Sequence, residues 1–257
     1  MEKHTKQRNV VRAILAWYTR YGRTLPWRNI ADPYRILVSE IMLQQTQVSR
    51  VLEKFPQFLR RFPTLRSLAN APRREVILAW RGMGYNNRAV RLHECARIIA
   101  NNHRGRIPDR LDHLLKLPGI GVYTAHALLC SVHARPVPVV DVNVQRVLSR
   151  IFWRMASLDS VRAAAQIATL ASTLLPKRRA YEWNQAVMDL GATVCTARNP
   201  RCQECPVARW CSSCTRMVRP VLRRSQRRRP LNDLPDRIYR GRIIERLRDT
   251  NGARRLR

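Results

Sequence analysis

CTARNPRCQECPVARWC, residues 195–211, carries four cysteines in the spacing C-x6-C-x2-C-x5-C towards the C-terminal end of the chain. Four thiolates so close together can surround one inorganic centre, and thiolate ligation is typical of iron–sulfur clusters and of zinc. A zinc ribbon normally separates its two C-x2-C pairs by about 15–20 residues, whereas a pair Cys211/Cys214 would follow Cys205 after only five residues. The spacing therefore favours a [4Fe–4S] cluster over zinc, disulfides or free thiols, with Cys214 as a spare thiol and with four ligands, Cys195, Cys202, Cys205 and Cys211.

The charge of the chain is its second unusual feature. Its 257 residues, enough for one large or two small domains, include 49 Lys and Arg against 17 Asp and Glu, a formal net charge of +32. A polyanion is the expected partner, because each phosphate contact releases counterions. No apolar run approaches the roughly 20 residues that span a bilayer, and the first residues show no signal-peptide pattern. We therefore expect no membrane, and a reducing, cytoplasmic, nucleoid-associated location.

Apolar periodicity predicts helices along almost the whole chain. Asp32-Pro33 is typical of a helix start, with Asp as N-cap and Pro at the first helical position. The following stretch, YRILVSEIMLQQ at 34–45, is apolar nearly all round and predicts a buried helix. No stretch alternates apolar and polar residues as a strand requires. Residues 216–257 hold 15 Arg and four acidic residues, and this tail is expected to be partly disordered.

LPGIGVYTA at 117–125 lies between two predicted helices. Its two glycines allow a tight hairpin, and the hairpin amides together with the next helix N-terminus form an anion site suited to a backbone phosphate. The simpler alternative is an ordinary helix–turn–helix connection. The high positive charge favours the phosphate-binding hairpin, formed by Pro118, Gly119, Ile120 and Gly121.

Five further residues are candidates for chemistry or DNA contact. Burial of Glu40 within ILVSEIML would raise its pKa, unless an arginine on a neighbouring helix satisfies it. Asp141 is either a simple N-cap or a carboxylate that stabilises a developing cation or activates water. Gln44 and Gln45 are either surface residues at a helix end or side chains that fill a vacated base position in a duplex. Tyr85 is either a core residue or a stacking aromatic.

Together these residues resemble the helix–hairpin–helix DNA glycosylases related to endonuclease III and MutY. The resemblance implies an all-α fold of two lobes, a six-helix barrel at 28–136 and a [4Fe–4S] cluster lobe at 137–214 that packs with the N-terminal helix at 1–27, followed by the tail at 215–257. It also implies a monomer that binds double-stranded DNA containing a mismatched base, and flips that base into a pocket between the lobes. The motifs in family order are LPWR at 25–28, SEIMLQQTQV at 39–48, GMGY at 82–85, LPGIGVYTA, VVDVNVQRV at 139–147 and the four-cysteine loop.

The resemblance assigns roles to individual residues. Glu40 matches the MutY-type glutamate that handles the leaving base, and Asp141 matches the family aspartate beside the deoxyribose. Cleavage of an N-glycosidic bond passes through an oxocarbenium-like state, so that one group assists the departing base while a carboxylate faces the sugar. The cluster is expected to be structural, holding both ends of a loop that presents Arg198 and Arg201 to the phosphate backbone.

Tyr123 is a departure from both relatives in the resemblance. Endonuclease III-type enzymes place a Schiff-base lysine here and MutY-type enzymes usually a serine, whereas a tyrosine cannot form an imine, so we predict a monofunctional catalytic site without efficient AP lyase activity. Tyrosine here resembles the archaeal G·T mismatch thymine glycosylases, and only 43 residues follow Cys214, fewer than the C-terminal domain of MutY. Both features favour thymine or uracil opposite guanine. The alternatives are adenine opposite guanine or 8-oxoguanine, and a non-catalytic iron–sulfur DNA-binding regulator.

Overall fold

The computed structural model describes residues 2–153 and 161–214, which contain helices, turns and loops but no β-strand. The all-α prediction is confirmed over these ranges. The tail at 215–257, for which the sequence predicts partial disorder, lies outside the described residues. No described helix is long and apolar enough to cross a membrane. The helices are α1 (Glu2–Tyr21), α2 (Pro33–Leu43), α3 (Val48–Arg61), α4 (Leu65–Asn70), α5 (Arg73–Ala79), α6 (Asn87–Asn102), α7 (Leu111–Leu115), α8 (Val122–His133), α9 (Val142–Trp153), α10 (Val161–Leu174) and α11 (Ala180–Thr193).

Helix α2 lies at the centre of the first hydrophobic core. Its start is capped as expected: Oδ1 of Asp32 accepts hydrogen bonds from the amides of Tyr34 at 2.9 Å and Arg35 at 3.3 Å, and Pro33 occupies the first helical position. Helix α2 packs against α3, α6 and α8, which is why it is apolar on nearly every side. The largest fully buried side chains of this core include Leu37, Ile41, Met42, Phe58, Trp80 and Leu128.

The second hydrophobic core joins the N-terminal helix to the last helices of the chain. Helix α1 packs against α10 and α11, and α9 packs against the same two helices. Val10, Ile14 and Leu15 of α1 are buried in this core. The two cores form the two lobes expected for the fold, with α2–α8 in one and α1 and α9–α11 in the other, while domain boundaries near residues 28 and 137 stay predictions.

A buried ion cluster ties the segment between α1 and α2 to the second lobe. Asp189 of α11 is fully buried, and its carboxylate accepts hydrogen bonds from Nε of Arg23 and from Nη1 and Nη2 of Arg28, each at 2.8 Å. Burial alone would raise the pKa of Asp189, but the hydrogen bonds from Arg28 and Arg23 outweigh burial and lower it. These hydrogen bonds fix the position of the Arg28 side chain.

Candidate active site and cysteine cluster

A cavity of about 240 Å³ lies between the two lobes. One water molecule needs only about 10–15 Å³ of such space, so this cavity admits a much larger group. Its wall includes Glu40 from α2, Tyr123 from α8 and Asp141 from the residue before α9. The fold therefore brings together three residues that sequence analysis selected from three separate motifs.

The carboxyl group of Glu40 is arranged to hold a proton near neutral pH. Its Oε2 is inaccessible to solvent and has no hydrogen-bond partner among the described residues. Burial, and after it the charge of Asp141, raises the pKa of Glu40 from 4.5 to about 7, with Arg28 acting in the opposite direction. Both terminal nitrogens of Arg28 are bonded to Asp189. Arg28 therefore does not satisfy Glu40 in the way the simpler alternative required.

Asp141 is both an N-cap and a member of the cavity wall. Its Oδ1 accepts a hydrogen bond from the amide of Val144 at 2.7 Å, and its Oδ2 accepts one from Nδ2 of Asn143 at 2.8 Å. The two alternatives for Asp141 are thus compatible, since capping α9 fixes the carboxylate where it borders the cavity.

Asn184 of α11 holds the backbone that leads to Asp141. Its Oδ1 accepts a hydrogen bond from the amide of Val139 at 3.1 Å, and its Nδ2 donates to the carbonyl of Val137 at 3.0 Å. Asn184 is buried, so this extended segment is supported from the second lobe. The support fixes the approach of the chain to α9.

The hydroxyl of Tyr123 borders the cavity and contacts Sδ of Met188 at 4.0 Å. Burial, followed by the charges of Glu40 and Asp141, raises the pKa of Tyr123 well above 10. The phenol is therefore neutral at physiological pH and is a poor nucleophile.

The LPGIGVYTA stretch forms the expected tight hairpin between α7 and α8. Gly119 has a φ of +82°, a left-handed conformation that favours glycine, and a Cβ added there would lie 3.2 Å from Cβ of Arg91. The amide of Ile120 donates to the carbonyl of Leu117 at 3.2 Å, and Ile120 is buried. Pro118 is half-buried, and Gly121 is exposed at the start of α8, so this end of the hairpin is open to a ligand.

Gln44 fastens helix α2 to the hairpin. Its Nε2 donates to the carbonyl of Gly119 at 3.1 Å and to Oγ1 of Thr124 at 3.2 Å. The sequence left open whether Gln44 is a surface residue or a DNA-filling one. Its amide is half-buried and bonded to the hairpin, whereas Gln45 beside it is exposed with a φ of +56°.

Gln45 and Tyr85 are exposed on two loops that Arg88 clamps together. Tyr85 is 55% exposed and, like Gln45, has a positive φ, of +46°. The guanidinium of Arg88 is buried, and its ring neighbours include Tyr85, at 5.7 Å from the ring centroid. It donates to the carbonyls of Ile41 and Met42 at the end of α2. It also donates to the carbonyl of Gln44 and Oγ1 of Thr46 on the loop that follows, and to the carbonyls of Met83 and Gly84 on the other loop.

The four predicted ligand cysteines line one cavity in the second lobe. Burial raises the pKa of Cys205 to about 12 and the pKa of Cys202 to about 11. Neighbouring thiols raise both pKa values further. Coordination to a cationic centre deprotonates such thiols outright. The donor set and the shared cavity fit an iron–sulfur cluster, which when bound supplies that positive charge and fixes the loop at 195–211.

Two arginines of α9 bind the cluster loop to the helix that Asp141 caps. Nε of Arg146 donates to the carbonyl of Cys195 at 2.9 Å, and Nη2 donates to Oδ1 of Asn143 at 2.8 Å. Nη1 of Arg150 contacts Sγ of Cys195 at 3.4 Å and donates to the carbonyl of Thr196 at 2.7 Å. Asn143 also holds Asp141. A chain of hydrogen bonds therefore runs from the cavity carboxylate to the first cysteine.

The two loop arginines differ in their surroundings. Arg198 is exposed at the outer part of the loop. Arg201 is exposed as well, but its Nε donates to the carbonyl of Thr193 at 3.2 Å and its Nη1 pairs with Glu204 at 2.9 Å. Arg201 therefore also fastens the loop to the end of α11.

Several site residues were missed by sequence reasoning. Arg28 lies in the LPWR motif but had no role attached to it, and Asn143 lies two residues after Asp141 in the VVDVNVQRV motif. Arg88 and Asn184 are on helices with no motif of their own. Asn143 and Arg28 could have been found from the sequence, because both lie within quoted motifs. Arg88 and Asn184 could not, because each bonds to residues more than 40 positions away, such as Thr46 and Val139.

Comparison with known families identifies two regions of the chain. Residues 38–171 match the HhH-GPD superfamily of base excision DNA repair proteins, and residues 195–211 match the iron–sulfur binding domain of endonuclease III. The second match confirms the prediction of a [4Fe–4S] cluster, while the four cysteines as its ligands stay a prediction.

Individual relatives and solved structures agree with these matches. The adenine DNA glycosylase of Mycobacterium tuberculosis is 46% identical over 200 residues, which cover 77% of this chain and 66% of the relative. That of Mycolicibacterium smegmatis is 43% identical over 240 residues, or 92% of this chain and 80% of the relative. The aligned region thus spans about two thirds of the Mycobacterium tuberculosis relative.

A thermostable thymine-DNA glycosylase superposes with a TM-score of 0.78 at 30% identity, covering 84% of this chain and 100% of that one. An endonuclease III in a non-covalent DNA complex shares the fold, with a TM-score of 0.72 at 20% identity over 84% of this chain and 99% of that one. The resemblance inferred from the motifs is therefore confirmed by the family matches, the relatives and the fold. The chain belongs to the HhH-GPD superfamily of base excision DNA repair proteins.

Proposed function

We propose that this protein is a monofunctional DNA glycosylase that removes adenine mispaired with guanine or 8-oxoguanine from double-stranded DNA. The observation that carries the proposal is the solvent-inaccessible, unpartnered Oε2 of Glu40, whose carboxyl has a pKa of about 7 and lines the same cavity as Asp141. A proton-donating acid and a second carboxylate on one cavity form the pair that glycosidic bond cleavage requires. Membership of a base excision repair family supports DNA as the polymer on which this pair acts.

In this proposal Glu40 and Asp141 have separate tasks. Protonated Glu40 donates its proton to a ring nitrogen of the departing base, and the electrons of the broken carbon–nitrogen bond leave with the base. The sugar then carries developing positive charge, which the carboxylate of Asp141 stabilises. A water molecule supplies the new oxygen on the sugar carbon, and its proton passes to the carboxylate pair.

Adenine is the base that the comparisons and this chemistry favour. The relatives named above are adenine DNA glycosylases at 46% and 43% identity. Adenine has basic ring nitrogens that accept a proton from Glu40, whereas thymine and uracil have none that is basic. The preference for thymine or uracil predicted from Tyr123 therefore gives way to the alternative.

A second candidate substrate is thymine or uracil opposite guanine. One observation favours it: the thermostable thymine-DNA glycosylase matches the fold at 30% identity over its whole length. Tyr123 pointed to the same class of enzyme in the sequence. This candidate shares the acid, the carboxylate and the cavity, and differs in the base that the cavity accepts.

Tyr123 supports a reaction that stops after base removal. A lyase needs an amine that forms an imine with the sugar, and the neutral phenol of Tyr123, with a pKa well above 10, offers none. Among the described residues that line the cavity there is no lysine. We therefore expect an intact abasic site as the product.

The DNA contacts follow from the surfaces around the cavity. The hairpin of Pro118, Gly119, Ile120 and Gly121 offers the backbone amides of its two glycines and the N-terminus of α8 to a phosphate. The clamped pair Gln45 and Tyr85 is exposed on adjacent loops, where it suits insertion into a duplex that has lost a base from its stack. Arg198 extends the contact on the cluster loop.

Excision assays on four duplexes test the proposal. Duplexes with adenine opposite 8-oxoguanine, adenine opposite guanine, thymine opposite guanine and uracil opposite guanine are incubated with excess protein and then cleaved with alkali. We expect cleavage of the two adenine duplexes, strand breaks only after alkali, and no borohydride-trapped covalent adduct. Glu40→Gln and Asp141→Asn should each slow excision by at least a hundredfold, while Glu53→Gln on exposed α3 serves as the matched control.

Each of the other possible results of these assays would contradict a different part of the proposal. Preferential cleavage of the guanine-paired pyrimidines would select the second candidate substrate. A trapped adduct would overturn the monofunctional assignment. Failure to cleave any duplex, with DNA binding retained, would favour the iron–sulfur regulator over a glycosylase.

A further inference from the structure

Lys6 of the N-terminal helix α1 reaches the turn that ends the cluster loop. Its Nζ donates to the carbonyl of Ile151, near the end of α9, at 3.0 Å and to Oγ of Ser212 at 3.2 Å. The same ammonium lies 5.2 Å from the ring centroid of Phe152, which is a cation–π distance. Lys6 therefore joins three parts of the second lobe, namely α1, the end of α9 and the turn after Cys211.

The turn at 211–213 also has backbone contacts with α9. The amide of Ser212 donates to the carbonyl of Ile151 at 3.0 Å, and the amide of Ser213 donates to the carbonyl of Arg150 at 3.1 Å. Cys211, the last of the four predicted ligands, begins this turn and lines the cavity that the four cysteines share. The position of Cys211 therefore depends on the contacts that this turn makes with α9 and with Lys6.

We propose that Lys6 is a positioning residue for the iron–sulfur cluster, which it retains by holding the turn at 211–213. Two arginines of α9, Arg146 and Arg150, bind the first end of the cluster loop, and Lys6 binds its last end from a different helix. A hydrogen bond from a charged donor is stronger than one between neutral groups, so the ammonium contributes substantially to this hold. A looser turn lets Cys211 move away from the other three ligands, and the cluster is then lost faster. The inference rests on the four predicted ligands and does not depend on which base the protein removes.

Variants of this contact test the inference by the rate of cluster loss. Lys6→Met removes the ammonium and keeps an unbranched side chain, Ser212→Ala removes one of the two acceptors of Lys6, and the double variant combines both changes. Arg8→Met, on an exposed part of α1, is the matched control. The proteins are purified without oxygen, and iron per chain and helix content by circular dichroism are measured. An iron chelator is then added, and the fall in the visible absorbance of the cluster gives the rate of loss.

We expect Lys6→Met to lose its cluster roughly five times faster than the wild type or more, or to be purified folded but with less than about half of the wild-type iron. Ser212→Ala should have a smaller effect of about twofold, because Lys6 keeps its bond to Ile151. The double variant should match Lys6→Met, since the hydroxyl acts through the ammonium.

Three results would overturn the proposal. The first is loss at the wild-type rate in Lys6→Met, and the second is equally fast loss in Arg8→Met. The third is a double variant whose rate combines both single effects in full, because Ser212 would then act without Lys6. If Lys6→Met has reduced helix content, Ser212→Ala decides the question, and a wild-type rate in that variant counts against the proposal.

Discussion

Replacing Glu40 by glutamine should change the pH dependence of stability in a defined direction. A rise in the pKa of this carboxyl from 4.5 to about 7 corresponds to about 3 kcal/mol, since one pKa unit is about 1.4 kcal/mol. Because the folded-state pKa is the higher one, the stabilising contribution is fully present below about pH 4.5 and is lost as the pH rises through about 7. Between pH 5.5 and pH 8 the wild-type protein should lose about 2 kcal/mol from this group alone.

The variant removes this loss because glutamine does not titrate. In a protein of this size 1 kcal/mol shifts the melting temperature by roughly 2–4 °C, so the difference in melting temperature between Glu40→Gln and wild type should change by roughly 4–8 °C from pH 5.5 to pH 8, in favour of the variant at pH 8. The measurement is thermal unfolding of cluster-loaded protein at both pH values. Glu53→Gln, on an exposed part of α3, should run parallel to wild type.

Parallel melting curves for Glu40→Gln and wild type at the two pH values would refute the reasoning, because the carboxyl would then titrate alike in folded and unfolded chains. The same titration predicts the kinetics. If protonated Glu40 is the proton donor, the single-turnover excision rate of the wild type should fall as the pH rises above about 7. Glu40→Gln should therefore be more stable than the wild type at high pH and yet fail to excise the base.

Three further substitutions test the supports of the site. Asp189→Asn leaves the buried guanidinium of Arg28 without its carboxylate and should destabilise the protein by about 3–5 kcal/mol, measured by thermal unfolding. Gly191→Ala places a Cβ 2.8 Å from Cβ of Asn143, so it should cost about 1–3 kcal/mol and slow excision at least tenfold by displacing the partner of the cavity carboxylate. Arg88→Met should leave the two exposed loops unclamped, and reduce the fluorescence rise of a 2-aminopurine beside the mismatch at saturating protein.

Matched controls separate these effects from general damage. Asp112→Asn removes an exposed ion pair and should leave the melting temperature close to that of the wild type. Arg97→Met, on the exposed face of α6, should leave the 2-aminopurine signal as in the wild type. An Arg88→Met variant with an unchanged signal would contradict the clamp, and a Gly191→Ala variant with normal excision would show that α9 tolerates the added methyl group.

The parts of this protein that were predictable from sequence are those whose cause is local. The cap at Asp32, the tight turn at Gly119 and the cysteine spacing each follow from residues a few positions apart. The pairing of Asp189 with Arg28 joins residues 161 positions apart, and the sequence around each residue does not indicate its partner. Arg88 was missed for the same reason, because its acceptors are backbone carbonyls, which have no identity in a sequence.

The sequence left two alternatives open for Asp141 and for the pair Gln44 and Gln45, and tertiary contacts distinguish them. Asp141 had to be either a cap or a site carboxylate when only its neighbours were considered, and the structure places the capping carboxylate on the cavity wall. Gln44 is half-buried against the hairpin while Gln45 is exposed. Two adjacent, identical residues acquire different surroundings at the end of α2, where the backbone turns into a left-handed conformation.

Helix α9 has a consequence for how the protein matures. Its first turn holds Asp141, and its second half is bonded to the loop that receives iron. In a newly made chain that has not yet acquired its cluster, the loop would be less firmly held, and α9 would lose part of the support that it receives through Arg146 and Arg150. We therefore expect base removal to begin only after iron delivery is complete, so that immature chains do not create abasic sites in the genome.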